Sequence, residues 1–376
     1  MKKINSFLFI VLPLALGACG GNKRETTGED QYNSDKEIIS HASLLSIEDR
    51  EGYDLVTIKT SPEDKFPVRY ALISNLVSEP ADLPAGTLKI NVPVSSAVID
   101  SEVYASIIDE LSAGGVIRGM FDTSFISSPS LVDRVRKNDI IDVGSPSAPN
   151  REKIIALAPD LITLSYFTGM DARNLDNLGI PVLKMADLNE STPLGRAEWI
   201  KLFGRLVGQG EKADSIFEVV STDYENLRQK ASIRKHRPKV LTEQVYEGVW
   251  YVSGGDSYQA RLIKDAGGEY FMESDNHTGS LNLSMEQVLE RGNDADIWLI
   301  KVFGENLTKE SLTAKDKRYT RFKPFQTGDI YISDTSKNSL FRDFPFHPEL
   351  LLKEYIQIFS SDDGSPELVY FKKISQ

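Results

Sequence analysis

The sequence predicts an α/β protein of two lobes joined by one long inter-lobe helix, with mostly parallel sheets and a central ligand cleft. Short apolar runs alternate with helical periods from residue 88 to about residue 190, which is typical of βα units on a parallel sheet. A second alternation of this kind begins at residue 239. Between them, apolar residues recur at helical spacing over residues 211–231, which predicts a helix of ~30 Å at ~1.5 Å per residue.

The strands and helices of each lobe follow from these periods and from the breakers between them. Pro159 ends one predicted helix and Gly179 another, because neither residue continues a helix well. In the first lobe we predict strands at 88–94, 116–120, 140–143, 161–164 and 181–185, and helices at 103–111, 151–158 and 174–178. In the second lobe we predict strands at 239–244, 297–301 and 330–332, and helices at 258–266, 285–291 and 348–359.

Two further segments precede the first lobe. Residues 53–58 and 68–73 are rich in β-forming residues and predict an extra N-terminal strand pair. Residues 20–43 are mostly polar and predict a flexible tether. The expected organisation is a signal peptide (1–18), a tether (19–43), a strand extension (44–87), an N-terminal lobe (88–192), a helical linker (193–234) and a C-terminal lobe (235–376).

The only cysteine, Cys19, closes a short signal-like segment. It follows Leu16-Gly17-Ala18 behind a basic start and an apolar stretch at 7–16, which is far shorter than the ~20 residues needed to span a bilayer. This arrangement resembles a bacterial lipoprotein signal, in which the cysteine is acylated and becomes the first residue of the mature protein. The resemblance implies a lipid anchor on Cys19 and a periplasm-facing location in the cell envelope. The alternative is an ordinary secretory signal with an incidental cysteine.

Composition argues against several function classes. The formal net charge of −12 disfavours nucleic acid and anionic lipid headgroups, because both require clustered cations. The four histidines are scattered and show no paired spacing, so no dedicated metal site is expected. The phosphate-binding run G-x-x-x-x-G-K-[ST] does not occur in the sequence, so no ATP hydrolysis is expected. No cofactor is predicted.

Four segments carry a family resemblance, in matching order. They are 143–162, with Pro149-Asn150 and Pro159-Asp160, then 206–213, 250–269 and 284–300. They resemble the substrate-binding proteins of ABC importers for ferric siderophores, haem and cobalamin. The resemblance implies two rigid lobes and a non-enzymatic, monomeric binding subunit. Such a subunit delivers an iron chelate, haem or a cobalamin-type ligand to permease subunits.

The cleft-lining residues are expected in loops between the lobes. Aromatic faces and one guanidinium suit a flat, anionic chelate. For any single aromatic residue, packing in the core is the alternative to ligand contact. The candidate ligand-binding residues are Ser95, Ser96, Phe121, Tyr166, Phe167, Tyr246, Trp250, Tyr251, Phe303, Phe341 and Arg342.

The sequence departs from the family at the positions expected to contact the permease, and it leaves an enzymatic function as the alternative. Members of the family resemble one another in a Glu on the first helix of each lobe, but the matching positions here are Ser106 and Arg261. We expect Glu102, Asp109 and Asp265, on the same helices, to serve instead. The alternative function is an exported enzyme that processes chelates or tetrapyrroles on the same scaffold. That reading requires several cysteines or a catalytic dyad, and the sequence has one cysteine.

Overall fold

The structure is a computed structural model that describes residues 36–76, 80–166, 173–360 and 367–374. The predicted signal peptide and Cys19 lie outside the described residues. Within them, the chain forms three five-stranded sheets and two smaller ones. No helix of the described residues is long and apolar enough to cross a membrane.

The N-terminal extension is a five-stranded sheet rather than a strand pair. The two predicted strands are present as Tyr53–Ile58 and Val68–Ser74, which pair antiparallel. The third predicted strand is present as Leu88–Val92, but it pairs in parallel with Val68–Ser74 and does not open the sheet of the first lobe. The sequence showed the strand but not its partner, because pairing is decided by contacts far apart in the chain. In sheet order the strands are Lys36–Glu37, Leu45–Arg50, Tyr53–Ile58, Val68–Ser74 and Leu88–Val92.

The N-terminal lobe has a five-stranded sheet that is parallel, as predicted, although its central strand, Ala97–Ile99, was not among the predicted strands. Helix Glu102–Glu110 begins at Ser101, whose side chain accepts a hydrogen bond from the N–H of Val103. The apolar side chains of this lobe form one cluster with those of the N-terminal sheet, so the two share a core. In sheet order the strands are Val182–Met185, Leu161–Ser165, Ala97–Ile99, Ile117–Met120 and Ile141–Asp142. The α-helices are Glu102–Glu110, Pro129–Arg136, Arg151–Leu157 and Arg173–Asp176, and Gly144–Ser145 pairs with Ala148–Pro149.

The C-terminal lobe combines a mostly parallel sheet with a smaller antiparallel one. The smaller sheet, which the sequence did not predict, consists of Val245–Tyr246, Val249–Ser253 and Ser280–Leu283. The main sheet contains Glu269–Tyr270, Lys239–Thr242, Ile297–Val302, Ile330–Asp334 and Lys372–Lys373, in that order, and only the last of these strands is antiparallel to its neighbour. The α-helices are Tyr258–Asp265, Met285–Gly292, Lys309–Lys315, Lys323–Thr327, Leu340–Asp343 and Pro348–Phe359.

One 23-residue helix, Gly210–Ser232, joins the lobes and confirms the predicted long helix. It follows two shorter helices, Pro193–Ala197 and Ile200–Leu206. Its first half contributes Phe217 to the core of the N-terminal lobe, and further along it contributes Tyr224 to the core of the C-terminal lobe. Because the helix packs into both cores, both lobes are attached to the same continuous helix.

Candidate functional site

Two adjoining cavities mark the candidate ligand site, the first between the lobes and the second on the C-terminal lobe. We call the first, of about 480 Å³, the lobe cavity, because both lobes line it. We call the second, of about 560 Å³, the aromatic groove. They share Ser253, Ser280, Lys301 and Phe341, so they form one continuous depression.

The depression lies where parallel strands end. In the N-terminal lobe, Leu188, Asn189, Glu190 and Ser191 line the lobe cavity shortly after strand Val182–Met185. In the C-terminal lobe, Lys301 is the second-last residue of strand Ile297–Val302. Loops converge at the carboxyl ends of parallel strands, which is where α/β proteins generally bind ligands.

Four of the predicted aromatic residues meet in the aromatic groove. Tyr246, Tyr251, Phe303 and Phe341 all line it, and their exposed fractions are 67%, 44%, 77% and 49%. Large apolar side chains exposed as a group are uncommon on a soluble surface and typically mark a binding site. The groove therefore offers ring faces to a flat or partly apolar molecule.

The expectation for Trp250 is corrected by the structure. Trp250 lies in a strand rather than a loop, and it is fully buried. Its indole N–H donates to the carbonyl of Thr242 at 2.9 Å, and its ring stacks on Trp298 with centroids 5.9 Å apart. Side chains alternate across a strand, so Tyr251 points to the groove while Trp250 points to the core. Trp250 supports the groove from below and does not line it.

Lys301 and Glu243 form a charged pair in the floor of the groove. Their side chains make a salt bridge, and each is about one-fifth exposed. Glu243 has φ of 65°, in the left-handed region that non-glycine residues rarely adopt. Its N–H donates to the carbonyl of Leu299 at 2.9 Å, and its carbonyl accepts from the indole N–H of Trp298 at 2.7 Å. Neighbouring groups thus hold this unusual backbone conformation in place, a device common at ligand sites.

A buried polar network backs the lobe cavity on the side of the N-terminal lobe. The guanidinium of Arg196 donates to Asp187 at 3.0 Å, and Asp187 also accepts from the hydroxyl of Tyr104. Burial and the neighbouring carboxylate of Asp187 raise the pKa of Tyr104 well above its usual value. The Arg196 guanidinium also lies 5.8 Å and 5.3 Å from the ring centroids of Tyr258 and Phe344 in the other lobe. This arginine, which the sequence analysis missed, therefore contacts both lobes.

Arg342 is engaged at an inter-lobe seam rather than free in the cleft. Its guanidinium lies 3.3 Å from the carboxylate of Glu102 and 3.4 Å from the hydroxyl of Ser127. Arg342 was expected to contact an anionic ligand, but it lines neither cavity and its charge is already paired with Glu102. We define the inter-lobe seam as this pair together with His347 and Glu110.

His347 forms the second pair of the seam. Its Nε2 lies 2.9 Å from Glu110 of the other lobe, and its Nδ1 lies 3.2 Å from Glu349. Burial disfavours the charged imidazole, but the carboxylates of Glu110 and Glu349 outweigh burial and raise the pKa of His347 to about 10. The side chain is therefore a cation at neutral pH.

The remaining candidate ligand residues lie elsewhere. Ser95 and Ser96 donate to Asp160 with distances from 2.6 to 3.0 Å, and they precede strand Ala97–Ile99. They therefore lie at the amino ends of the strands, away from the cavities, which corrects their placement. Phe121 is buried and packs in the core of its lobe, so it is not available to a ligand. Tyr166 is exposed after strand Leu161–Ser165, and Phe167 lies outside the described residues.

The three candidate docking carboxylates all have partners within the chain. Asp109 pairs with Arg134 at 3.3 Å. Asp265 accepts from the hydroxyl of Tyr224 at 2.8 Å and pairs with Arg261 at 3.2 Å. Glu102 belongs to the inter-lobe seam. In the part of the chain that the structure describes, no cluster of three His, Cys, Asp or Glu side chains is placed to hold a metal ion.

Comparison with known proteins supplies the family. Residues 102–335, more than half of the chain, match the model of the periplasmic binding proteins, and the chain belongs to this family. Two uncharacterised lipoproteins of Methanocaldococcus jannaschii are similar to it. MJ0878 is 28% identical over 64% of this chain and 60% of its own length, so the match spans less than two-thirds of that relative. MJ0872 is 27% identical over 98% of both chains.

Solved structures share the two-lobed fold at low sequence identity. A periplasmic heme-binding protein from Pseudomonas aeruginosa is 16% identical, with a TM-score of 0.57 over 75% of this chain and 99% of that one. The vitamin B12-binding protein BtuF of Vibrio cholerae is 15% identical, with a TM-score of 0.52 over 71% of this chain and 97% of that one. The predicted fold class is thereby confirmed.

Proposed function

We propose that this chain is the lipid-anchored substrate-binding component of an ABC importer. It binds an iron chelate such as a ferric siderophore, haem or a cobalamin-type ligand between its lobes and delivers it to the permease. The observation that carries this proposal is the group of four exposed aromatic rings beside a cavity lined by both lobes.

The chemistry of the depression fits such a ligand. Tyr246, Tyr251 and Phe303 expose ring faces on which a planar macrocycle or an apolar chelate surface can stack. The lobe cavity beside them adds hydroxyl groups from Ser191, Ser253 and other residues. Two of the structural neighbours are named for binding haem and vitamin B12, and this supports the same ligand class here.

A binding role suits the site better than catalysis. The charged groups that line the lobe cavity all have partners in the protein. Glu190 accepts hydrogen bonds from the N–H groups of Ser43 and Leu44, while Arg196 and Lys301 are in ion pairs. These charged groups are engaged within the protein, so the exposed aromatic rings are the main surface that the site offers to a ligand. We therefore favour a binding protein over the exported chelate- or tetrapyrrole-processing enzyme.

The lipid anchor rests on the segment Leu16 to Cys19 and on the lipoprotein names of both relatives. In this proposal residues 1–18 are removed. The folded part of the chain begins at strand Lys36–Glu37, which corrects the predicted end of the tether at residue 43. Cys19→Ser removes the thiol that would be acylated. We expect the variant to leave the membrane fraction or to accumulate as precursor, and wild-type partitioning of the variant would contradict the anchor.

Ligand binding is tested by titrating the full chain with haemin, cyanocobalamin and a ferric hydroxamate siderophore. Visible absorption and calorimetry measure the dissociation constant for each. We expect one class to bind with 1:1 stoichiometry and the double variant Tyr246→Ala/Tyr251→Ala to weaken that binding at least tenfold. The matched control is Ile233→Ala, an exposed apolar side chain that lines neither cavity. If none of the three probes binds the wild type, the proposed function is wrong.

A further inference from the structure

The N-terminal sheet reaches the ligand cleft through one loop. We call residues 59–67 the hairpin loop, because they join strands Tyr53–Ile58 and Val68–Ser74. Three consecutive residues of this loop, Thr60, Ser61 and Pro62, line the lobe cavity together with residues of both lobes. The loop lies outside residues 102–335, the part of the chain that matches the family model.

The hairpin loop has a defined conformation. One carboxylate oxygen of Asp64 accepts from the N–H and the hydroxyl of Thr60, at 3.0 and 2.9 Å. The other accepts from the N–H of Phe66 at 2.9 Å. These hydrogen bonds lower the pKa of Asp64, so the carboxylate that organises the loop is ionised at neutral pH. Across the cavity wall, the side-chain amide of Asn189 donates to the carbonyl of Thr60 at 2.9 Å.

The sheet behind the loop is fixed to the N-terminal lobe. Buried Glu198 accepts from the N–H groups of Ser40, His41 and Ala42, with distances from 2.6 to 3.0 Å. The hydroxyl of Tyr70 donates to the carbonyl of Val182 at 3.0 Å and accepts from the N–H of Lys184 at 2.9 Å. The hairpin loop is therefore held in a fixed position at the edge of the cavity, where a ligand would contact it.

We propose that the hairpin loop is a third wall of the ligand site and sets the largest ligand that the lobe cavity admits. This inference rests on the proposed function. The lining residues of the wall are neutral: the hydroxyl of Ser61, the hydroxyl of Thr60, which already donates to Asp64, and the ring of Pro62. The wall selects for size and for a hydrogen-bonding rim, such as hydroxyl, amide or carboxamide groups, while the aromatic groove holds the flat or apolar part of the ligand.

The test enlarges the wall. Ser61→Trp and, separately, Pro62→Trp place an indole at the cavity edge, and each is compared with Lys65→Trp, an exposed position of the same loop that does not line the cavity. The full-length variants are titrated with haemin, cyanocobalamin and a ferric hydroxamate siderophore, and their melting temperatures are measured. We expect Ser61→Trp and Pro62→Trp to weaken binding at least tenfold with unchanged melting temperature, and Lys65→Trp to bind within about twofold of the wild type.

The outcomes separate the two proposals. If the wild type binds a probe and neither cavity-edge variant changes its affinity, the hairpin loop is not part of the site, while the proposed function stands. If Lys65→Trp weakens binding as much as Ser61→Trp, the effect is not local to the wall and the inference fails. If the wild type binds none of the probes, the proposed function fails and this inference with it. Where two probes bind, a steric wall predicts the greater loss for the larger one.

Discussion

The two sides of the cleft are built in opposite ways. On the side of the N-terminal lobe, polar groups are buried and bonded to one another, as with Tyr104, Asp187 and Arg196. On the side of the C-terminal lobe, aromatic rings such as Tyr246 and Phe303 are exposed above a buried aromatic layer. On the first side the polar groups are hydrogen-bonded to one another without a ligand, whereas on the second side apolar surface is exposed to water. The difference indicates that one side fixes the shape of the site and the other supplies most of its contact area.

The largest expected effect comes from the buried layer beneath the rings. Trp250→Ala should lower the free energy of unfolding by ~3–5 kcal/mol, since it leaves a large cavity and removes the hydrogen bond to the carbonyl of Thr242. The folded fraction should bind ligand within about threefold of the wild type, because Trp250 lines neither cavity. Urea unfolding and calorimetric titration measure the two quantities. A stable variant that loses binding would show that Trp250 contacts the ligand, and the distinction between the buried aromatic layer and the exposed rings would then be wrong.

In the N-terminal lobe, the largest effect of a substitution on stability is expected at the buried carboxylate Glu198. Burial opposes its ionisation, but hydrogen bonds from Ala42 and His41 and the ammonium of Lys201 outweigh burial and lower its pKa. Glu198→Gln should cost ~2 kcal/mol at pH 7, because hydrogen bonds to a charged acceptor are replaced by weaker ones. Glu218→Gln, an exposed position on the long helix, is the control.

The pH dependence of this effect has a definite sign. A carboxylate whose pKa is lowered by folding contributes stability above its unfolded pKa of 4.5, and that contribution is lost as the pH falls below it. The difference between wild type and Glu198→Gln in urea unfolding should therefore shrink below about pH 4.5. A difference that stays constant down to pH 3 would show that the charge of Glu198 is not what holds the N-terminal segment.

The sequence predicted the fold class correctly, but it predicted the strand pairing and the site only in part. Alternating apolar runs located most strands of the two main sheets, and helical spacing located the long helix, because these signals are local. The short strand Ala97–Ile99, at the centre of the N-terminal sheet, was missed. Local sequence does not determine which face of a strand is buried. The pairing of Val249–Ser253 with Ser280–Leu283 decides that Tyr251 is exposed and Trp250 is buried. Glu190 and Glu198 showed no signal, since their partners are backbone groups more than 140 residues earlier in the chain. Arg342 was expected to contact the ligand, and nothing in the sequence indicated its partner Glu102, which belongs to the other lobe.

Single ring deletions sharpen the description of the exposed side. Tyr251→Ala and Phe303→Ala should each weaken binding of the ligand roughly tenfold, which is ~1.4 kcal/mol. Both side chains are exposed, so the free energy of unfolding should change by less than ~0.5 kcal/mol. Calorimetric titration and urea unfolding of the same preparations provide the comparison with Trp250→Ala. Unchanged affinity in both variants would restrict the ligand to the lobe cavity.

The smallest expected effect lies at the inter-lobe seam, where the two sides meet. Because Glu110 and Glu349 raise the pKa of His347 to about 10, its cationic form is the one that folding favours. A group whose pKa is raised by folding makes its full contribution to stability below its unfolded pKa, which is 6.5 here. That contribution disappears as the pH rises through 10.

His347→Gln should therefore lower the free energy of unfolding by ~1 kcal/mol near pH 7, a modest value for a partly exposed pair. The loss should become progressively smaller above pH 8. The double variant with Glu110→Gln completes a mutant cycle, and urea unfolding at pH 6, 8 and 10 gives the coupling energy at each pH. A coupling that does not change between pH 6 and pH 10 would mean that the two lobes are held together by packing at this point and not by the charge of His347.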